Sequence, residues 1–222
     1  MNTQVKKELI SYLSQYLTEN KKEKIEHIVK DRTRHVSVVL EDVFQSQNAS
    51  AIIRTAECFG VQDIHIIEKL NEFTPFESIS KGALKWIDFY RYKKINHCVK
   101  DLKEKGYKIV ATTPHTKSCS LHELDITQKT ALVFGNEAAG LSKEAFDLAD
   151  EFVTIPMVGF TESLNISVSV AVCLYDITQR LRKSDINWRL SEQEVMDVML
   201  SWTKKVVPAS EALERKFFED KG

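Results

Sequence analysis

Between residues 35 and 183 the sequence alternates short apolar segments with segments of helical periodicity, and this alternation limits the folds open to the chain. The strand candidates are HVSVVLEDV (35–43), VQDIHIIE (61–68), WIDFYRY (86–92), YKIVATTP (107–114), KTALVFG (129–135) and EFVTIP (151–156). The helix candidates cover residues 47–60, 95–106, 136–149 and about 163–181. Several strand candidates are apolar throughout, which is typical of strands buried on both faces. The pattern therefore predicts an α/β fold with a mostly parallel sheet and helices on both of its faces.

The two ends of the chain predict helices only. Residues 4–30 carry apolar side chains at helical spacing, interrupted at TENKKEK, so two short helices are expected there. The tail is amphipathic and also helical. We expect three parts, which are a helical N-terminal extension that contacts RNA (1–34), a central domain (35–183) and a helical C-terminal extension (184–222).

The composition is that of an ordinary soluble protein of 222 residues, with 43% hydrophobic and 28% charged residues. The net charge of −1 means that any binding of nucleic acid must depend on local basic patches. The four cysteines have no metal-ligand spacing and the six histidines are scattered, so no metal is expected. The sequence has no signal-peptide pattern and no apolar run of membrane-spanning length, so we expect a cytoplasmic protein without a membrane partner.

Polar clusters follow three of the predicted strands, at the edge where open parallel sheets bind ligands. In NASAIIRT (48–55), Asn48 and Arg54 lie on the same broad side of one helix. Snorkelling of Arg54 from a half-buried helix is an equally good interpretation of that spacing. In GNEAAGLS (135–142) an Asn-Glu pair lies between two glycines, which allow close approach to a ligand but also form tight turns.

The third cluster lies in IPMVGFTESLNISVSVAVCLYD (155–176), where a strand passes into an apolar helix. Thr161 or Ser163 could cap that helix. Asn165 and Ser167 are not explained in this way, because such side chains compete with helical hydrogen bonds. A ligand or a buried backbone partner is therefore expected beside them.

Together, NASAIIRTAECFGV, LVFGNEAAGLS and the 155–176 segment resemble the three motifs of the SPOUT superfamily of RNA methyltransferases, and most closely its TrmH family of 2′-O-ribose methyltransferases. KGALKW (81–86) lies in the matching place between the first two, and the resemblance extends over about residues 35 to 183. It implies a C-terminal trefoil knot, an S-adenosyl-L-methionine pocket formed by the knot, and a homodimer that pairs there.

The resemblance also implies roles for individual residues. Arg54 would be catalytic, with Asn48, Ser163 and Asn165 orienting it and the ribose. A guanidinium is a poor base, so binding a phosphate and stabilising the developing alkoxide is the role that its chemistry favours. The cofactor would be bound by Thr112, Gly135, Asn136, Glu137, Gly140, Ile155, Met157, Leu164 and Asn165. RNA would be bound by Arg32, Arg34, Lys85, Arg180 and Arg182.

Short helical extensions are similar to those of the TrmH-family enzymes that methylate the D-loop guanosine at position 18 of tRNA, which makes this reaction the expected function. Methylation of rRNA or of the tRNA wobble nucleotide is the alternative. Two further interpretations stay open, namely a non-catalytic knotted RNA-binding protein and a metabolic α/β enzyme with a nucleotide ligand.

Overall fold

The apolar segments between residues 33 and 188 form one sheet in which every paired strand is parallel to its neighbour. This computed structural model describes residues 1–80, 82–113 and 118–221. Within them the strands are β1 (Val36–Glu41), β2 (Asp63–Ile67), β3 (Asp88–Tyr92), β4 (Lys108–Thr112), β5 (Cys119–Ser120), β6 (Thr130–Phe134) and β7 (Glu151–Thr154). Their order across the sheet is β3-β2-β1-β6-β4-β7-β5.

Helices cover both faces of this sheet. They are α3 (Ser46–Cys58), α4 (Glu77–Ser80), α5 (Ile95–Glu104), α6 (Lys143–Leu148) and α7 (Ile166–Arg182), with short 3₁₀ turns at Ala83–Lys85 and Leu121–Glu123. Successive side chains of a strand point to opposite faces. Val38 and Leu40 of β1 accordingly pack in the core beneath α3 and α7, whereas Val39 packs in the core beneath α5. The predicted fold class is confirmed, and the knot stays a prediction.

Residues 1–32 and 189–222 form a second compact unit. It contains α1 (Thr3–Ser14), α2 (Glu19–Ile28), a 3₁₀ turn at Val29–Asp31, α8 (Glu192–Val206) and α9 (Ser210–Glu219). Its apolar core includes Leu9, Leu13, Val207 and Phe217. Residues of both expected extensions thus fold together. No helix of the described residues is long and apolar enough to cross a membrane.

Two helix caps determine the geometry around the polar clusters. Ser142 caps α6, with its Oγ accepting a hydrogen bond from the Ala145 N–H at 3.2 Å. The cap of α7 is Asn165, whose Oδ1 accepts from the Ser167 N–H at 2.8 Å. The helix therefore begins at Ile166, later than predicted, with Asn165 as its N-cap and Ser167 in its first turn.

Candidate active site

The three polar clusters meet at the carboxyl edge of the sheet, around the ends of β4 and β6. They line a cleft of about 510 Å³. A smaller cavity of about 80 Å³ shares Thr112, Ser163 and Leu164 with it and extends towards Ile155 and Met157. A cleft of this size is in the range of small-molecule sites in proteins.

The glycine-rich loop after β6 forms one wall of the cleft, and its two glycines are required for different reasons. A Cβ at Gly135 would lie well inside van der Waals distance of the Gly140 carbonyl and the Leu141 nitrogen. Gly140 has φ of +68°, a left-handed conformation that favours glycine. Asn136 and Gly140 exchange two backbone hydrogen bonds, both 2.9 Å long, which close the loop.

Asn136 orients the loop from inside. Its Oδ1 accepts from the N–H groups of Ala138 and Ala139, at 2.9 and 3.1 Å. Its Nδ2 donates to the carbonyl of Asp42 at 2.7 Å, which ties the loop to the end of β1. Its side chain is therefore occupied within the protein, and the loop presents mainly backbone groups to the cleft.

A chain of side-chain hydrogen bonds connects the three clusters. The Glu137 carboxylate accepts from the N–H groups of Phe44 and Gln45, at 3.0 and 3.2 Å. It also accepts from Nδ2 of Asn48 at 2.9 Å. Nδ2 of Asn165 then donates to Oδ1 of Asn48 at 3.1 Å. The start of α3, the glycine-rich loop and the start of α7 are thereby held in one arrangement.

Hydrogen bonding keeps Glu137 ionised. Partial burial alone would raise the pKa of this carboxyl, but the bonds from Asn48, Phe44 and Gln45 outweigh it and lower the pKa. A carboxylate with three donors and a lowered pKa is a weak base. Its role in this geometry is to fix the orientation of the Asn48 amide.

Two acidic residues at the end of β1 accept hydrogen bonds from neighbouring segments of the chain. Glu41 is buried and accepts from Lys69 Nζ at 2.6 Å and from Ser142 Oγ at 2.6 Å. Asp42 has φ of +56°, which is uncommon for a residue other than glycine. Its carboxylate accepts from the N–H groups of residues 69–71, and these bonds lower its pKa although burial opposes them.

The structure brings together all nine residues expected to bind the cofactor, because each lines one of the two cavities. Asn48, Ser163 and Asn165 also line the larger cleft. Arg54 lies on the exposed side of α3. No described residue forms a hydrogen bond or an ion pair with its guanidinium.

Most of the residues expected to bind RNA are engaged within the protein. Arg34 is half-buried and pairs with Asp63 at 3.1 Å and Asp88 at 2.8 Å. The Arg32 guanidinium lies over the Trp202 ring. Arg180 donates to the carbonyls of Leu121 and Leu124, and Arg182 donates to the carbonyl of Phe59. Lys85, in the 3₁₀ turn before β3, is exposed.

The sequence interpretation missed several cavity-lining residues, among them Gln45, Thr113, Ser169 and Cys173. The last two could have been found from helical spacing. Residues four apart share one face of a helix, so Ser169 and Cys173 lie on the same face of α7 as Asn165. Gln45 carries no comparable signal, because its place depends on the turn at Asp42.

The residues present fit S-adenosyl-L-methionine. Phe134, Leu141, Ile155 and Leu164 offer apolar surface for the adenosine, and the cleft also carries amides, hydroxyls and backbone groups for the polar end. Glycine at position 135 lets the backbone of Gly140 and Leu141 approach closely, which keeps the loop in the shape that forms this wall of the cleft. No cluster of three or more potential metal ligands occurs in the part of the chain that the structure describes.

Comparisons with known proteins agree with this geometry. The profile of the SpoU rRNA Methylase family matches residues 35–175. A Borreliella burgdorferi protein named tRNA (guanosine(18)-2′-O)-methyltransferase is 44% identical over 205 residues, which are 92% of this chain and 94% of that protein. A Thermus thermophilus protein of the same name is 33% identical, covering 85% of this chain and 98% of its own length.

Solved structures show the same fold. The A. aeolicus TrmH/SpoU tRNA modifying enzyme superposes with a TM-score of 0.77 at 30% identity, over 85% of this chain and 98% of that one. The SpoU methyltransferase AviRb from Streptomyces viridochromogenes, solved in complex with AdoMet, gives a TM-score of 0.63 at 25% identity. That match covers 70% of this chain and 64% of AviRb.

Proposed function

This chain belongs to the SpoU methylase family, and from that membership we propose that it methylates tRNA at the ribose 2′-hydroxyl of guanosine 18, using S-adenosyl-L-methionine. The observation that carries the proposal is the hydrogen-bonded chain Glu137–Asn48–Asn165 beside a cleft that fits the cofactor. The position in the RNA is proposed from the names of the relatives in Borreliella burgdorferi and Thermus thermophilus.

The protein's contribution to the reaction is positioning and electrostatics. The cofactor, when bound, supplies an electrophilic methyl group on a sulfonium. Asn48 and Asn165 hold the start of α3 against the start of α7, so the ribose is presented to the cleft in one orientation. Alignment of this kind accounts for a large part of the rate of a transfer reaction.

Arg54 serves as the cationic group of the site. Its guanidinium is exposed, and a guanidinium stays charged at neutral pH. Positive charge next to the 2′-oxygen stabilises the alkoxide that develops as the hydroxyl proton passes to water. The same fork of N–H donors binds an RNA phosphate in a bidentate manner, which places the target ribose.

A homodimer is part of the proposal. Val158 and Phe160 are fully exposed in the isolated chain, and Val168 and Tyr175 on α7 are exposed as well. Four exposed large apolar side chains within residues 158–175 support an interface in this segment. A second copy of the chain covers this surface in our proposal, next to the cavity lined by Met157 and Leu164.

RNA is bound by local positive charge in this proposal, since the net charge of the chain is −1. Lys85 on the sheet unit and Lys21, Lys22, Lys24 and Lys30 of the helical unit contribute phosphate contacts. The expected cytoplasmic location agrees with a tRNA substrate.

Methylation of rRNA is the second candidate, favoured by the description of the matching family, which names rRNA. The deciding experiment measures transfer of labelled methyl from S-adenosyl-L-methionine to unmodified tRNA transcripts and to rRNA fragments, with the modified nucleotide mapped. Label at the 2′-oxygen of guanosine 18 supports the proposal. Label only in rRNA would mean that rRNA, and not tRNA, is the substrate. Cofactor binding without label in any RNA would indicate a binding protein.

A further inference from the structure

We propose that the ring of Phe44 is a stacking platform for the nucleobase of the nucleotide whose ribose is methylated. This inference rests on the proposed function and deepens it, because it assigns a residue to recognition of the target base. Nothing in the motif resemblance gives Phe44 a role. Phe44 is exposed, its backbone is held by hydrogen bonds, and it directly precedes Gln45, which lines the cleft.

Phe44 is exposed where a residue in its position is normally packed. It directly precedes Gln45, the N-cap residue of α3, and an apolar residue there usually packs against the fourth residue of the helix. That residue is Ala49, which is 2% exposed, whereas Phe44 is 68% exposed. Most of the ring surface is therefore available to a ligand.

The backbone that carries the ring is fixed on both sides of Phe44. Before it, Asp42 holds the turn in a left-handed conformation, with its carboxylate bonded to three N–H groups of residues 69–71. The N–H groups of Phe44 and of the following Gln45 donate to the two oxygens of Glu137, at 3.0 and 3.2 Å. An aromatic side chain on a rigid backbone has only two torsions to order, so stacking on it costs little conformational entropy.

The backbone of Phe44 shares the Glu137 carboxylate with residues that line the cleft. The other oxygen of Glu137 accepts from Asn48 and Gln45, and both of these residues line the cleft. One carboxylate therefore positions both the Asn48 amide and the backbone of Phe44. Phe44 lies only four residues before Asn48, so in this proposal the base of a ribose placed at Asn48 reaches the exposed ring.

A nucleobase is the occupant that this setting favours. Scattered exposed apolar residues are ordinary and need no explanation. Phe44 differs because a carboxylate of the site fixes its backbone, and because it lies outside the 157–175 segment that a second copy covers in our proposal. Unpaired RNA bases are commonly recognised by stacking on aromatic side chains, which costs on the order of tenfold in affinity when the ring is removed.

The test is a two-by-two comparison of wild type and Phe44→Ala on two tRNA transcripts. One transcript carries guanosine at the target position. The other carries a ribo-abasic residue there, which keeps the 2′-hydroxyl but has no base. Values of kcat/KM for methyl transfer and Kd for each RNA are measured with the full-length protein. Phe44→Tyr and Phe44→Leu are matched variants, since the first keeps the ring and the second keeps apolar surface without it.

We expect Phe44→Ala to lower kcat/KM about tenfold on the guanosine transcript and to have no further effect on the abasic transcript. Tyrosine restores the rate and leucine does not. Equal loss on both transcripts, no loss on either, or rescue by leucine would overturn the inference. A change in the wild-type oligomeric state caused by Phe44→Ala would also overturn it, because a second copy then covers the ring.

The two proposals fail in different ways. If the wild type binds the guanosine transcript but methylates no RNA, the proposed function is wrong. The Kd values of the same four pairs still decide whether Phe44 stacks on the base. If the wild type methylates guanosine 18 and Phe44→Ala does so equally well, only the stacking inference is wrong.

Discussion

Asn165 donates its side-chain amide to Oδ1 of Asn48 across 3.1 Å, joining two residues that are 117 positions apart in the sequence. Nδ2 of Asn48 in turn donates to Oε1 of Glu137 at 2.9 Å. The orientation of Asn48 is thus fixed by a donor on one side and an acceptor on the other. Removal of either contact frees the amide to rotate.

Replacing Asn48 by aspartate reverses one of these contacts. The new carboxylate lies next to that of Glu137, and two adjacent carboxylates repel each other and raise the pKa of one of them. We expect Asn48→Asp to lower kcat for methyl transfer about 10²-fold at neutral pH. The deficit becomes smaller as the pH falls, because protonation restores an O–H donor.

The measurement is a pH–rate profile between pH 6 and 8, with Asn48→Ala as the uncharged control. The alanine variant loses activity without the pH dependence, because it brings no second carboxylate to Glu137. Wild-type kinetics for Asn48→Asp would show that the hydrogen-bonded chain does not matter for transfer.

A side chain at Gly135 is expected to block the cofactor. The Cβ of Gly135→Ala meets backbone atoms of Gly140 and Leu141, which cannot move without opening the loop. We expect the Kd for S-adenosyl-L-methionine to rise more than tenfold, measured by calorimetry. Gly106→Ala is the matched control. Gly106 has φ of +80° and an open environment, so alanine there costs about 1 kcal/mol of stability and leaves the Kd unchanged.

Arg54 is expected to act only in transfer. Since no described residue forms a hydrogen bond or an ion pair with its guanidinium, we expect Arg54→Ala to leave the melting temperature and the cofactor Kd unchanged. Transfer falls at least about 10²-fold, the typical cost of losing one group that stabilises developing charge. Cys58→Ala, an exposed position on the same helix, is the control. A fall in melting temperature with Arg54→Ala would make the residue structural.

The sequence was sufficient for the fold class because periodicity reports burial directly. β1 shows this, as all six of its residues are buried and its side chains divide between two cores. The motif resemblance predicts many of the cavity-lining residues, but not Gln45, Thr113, Ser169 or Cys173. Neither periodicity nor motif resemblance predicts β5, because it has only two residues and pairs with the distant strand β7.

Long-range polar contacts explain the remaining differences. The partners of Arg34 are Asp63 and Asp88, which lie 29 and 54 positions away in the sequence. No local sequence pattern predicts such a pairing. The sequence predicts the cap of α7 at Thr161 or Ser163, whereas in the structure Asn165 is the cap and also donates to Asn48. A residue with two roles of this kind is recognised only when both partners are in place.

The ion pairs of Arg34 lead to a prediction about stability. Arg34 is 17% exposed and Asp63 8% exposed in their side chains, so removing the guanidinium leaves a buried carboxylate without its cation. We expect Arg34→Ala to lower the free energy of unfolding by about 3 kcal/mol, measured in urea. Lys85→Ala is the contrasting variant, with unchanged stability and a weaker, less salt-dependent affinity for tRNA. Unchanged stability of Arg34→Ala would show that these ion pairs do not stabilise the fold. The expected role of Arg34 in RNA binding would then remain open.

His65 determines how stability responds to acid. It lies on β2 with 1% exposure, its ring is stacked on Tyr90 at 4.7 Å, and Nδ1 is 3.3 Å from the Tyr92 hydroxyl. Burial, together with the positive charge of Lys105, lowers its pKa to about 3. An exposed imidazole in the unfolded chain has a pKa near 6.5.

Below pH 6.5 the unfolded chain therefore binds a proton that the folded chain does not, and stability falls with pH by up to about 1.4 kcal/mol per unit until pH 3. Most carboxyl groups titrate below about pH 4.5, so the interval from 4.5 to 6.5 reports mainly on histidines, and the comparison with His65→Phe assigns the share of His65. Urea unfolding across that interval should show a clear slope for the wild type and for the exposed control His97→Gln. His65→Phe, which keeps an aromatic ring beside Tyr90, should show a flatter profile. An equal slope in His65→Phe would mean that other groups carry the acid sensitivity.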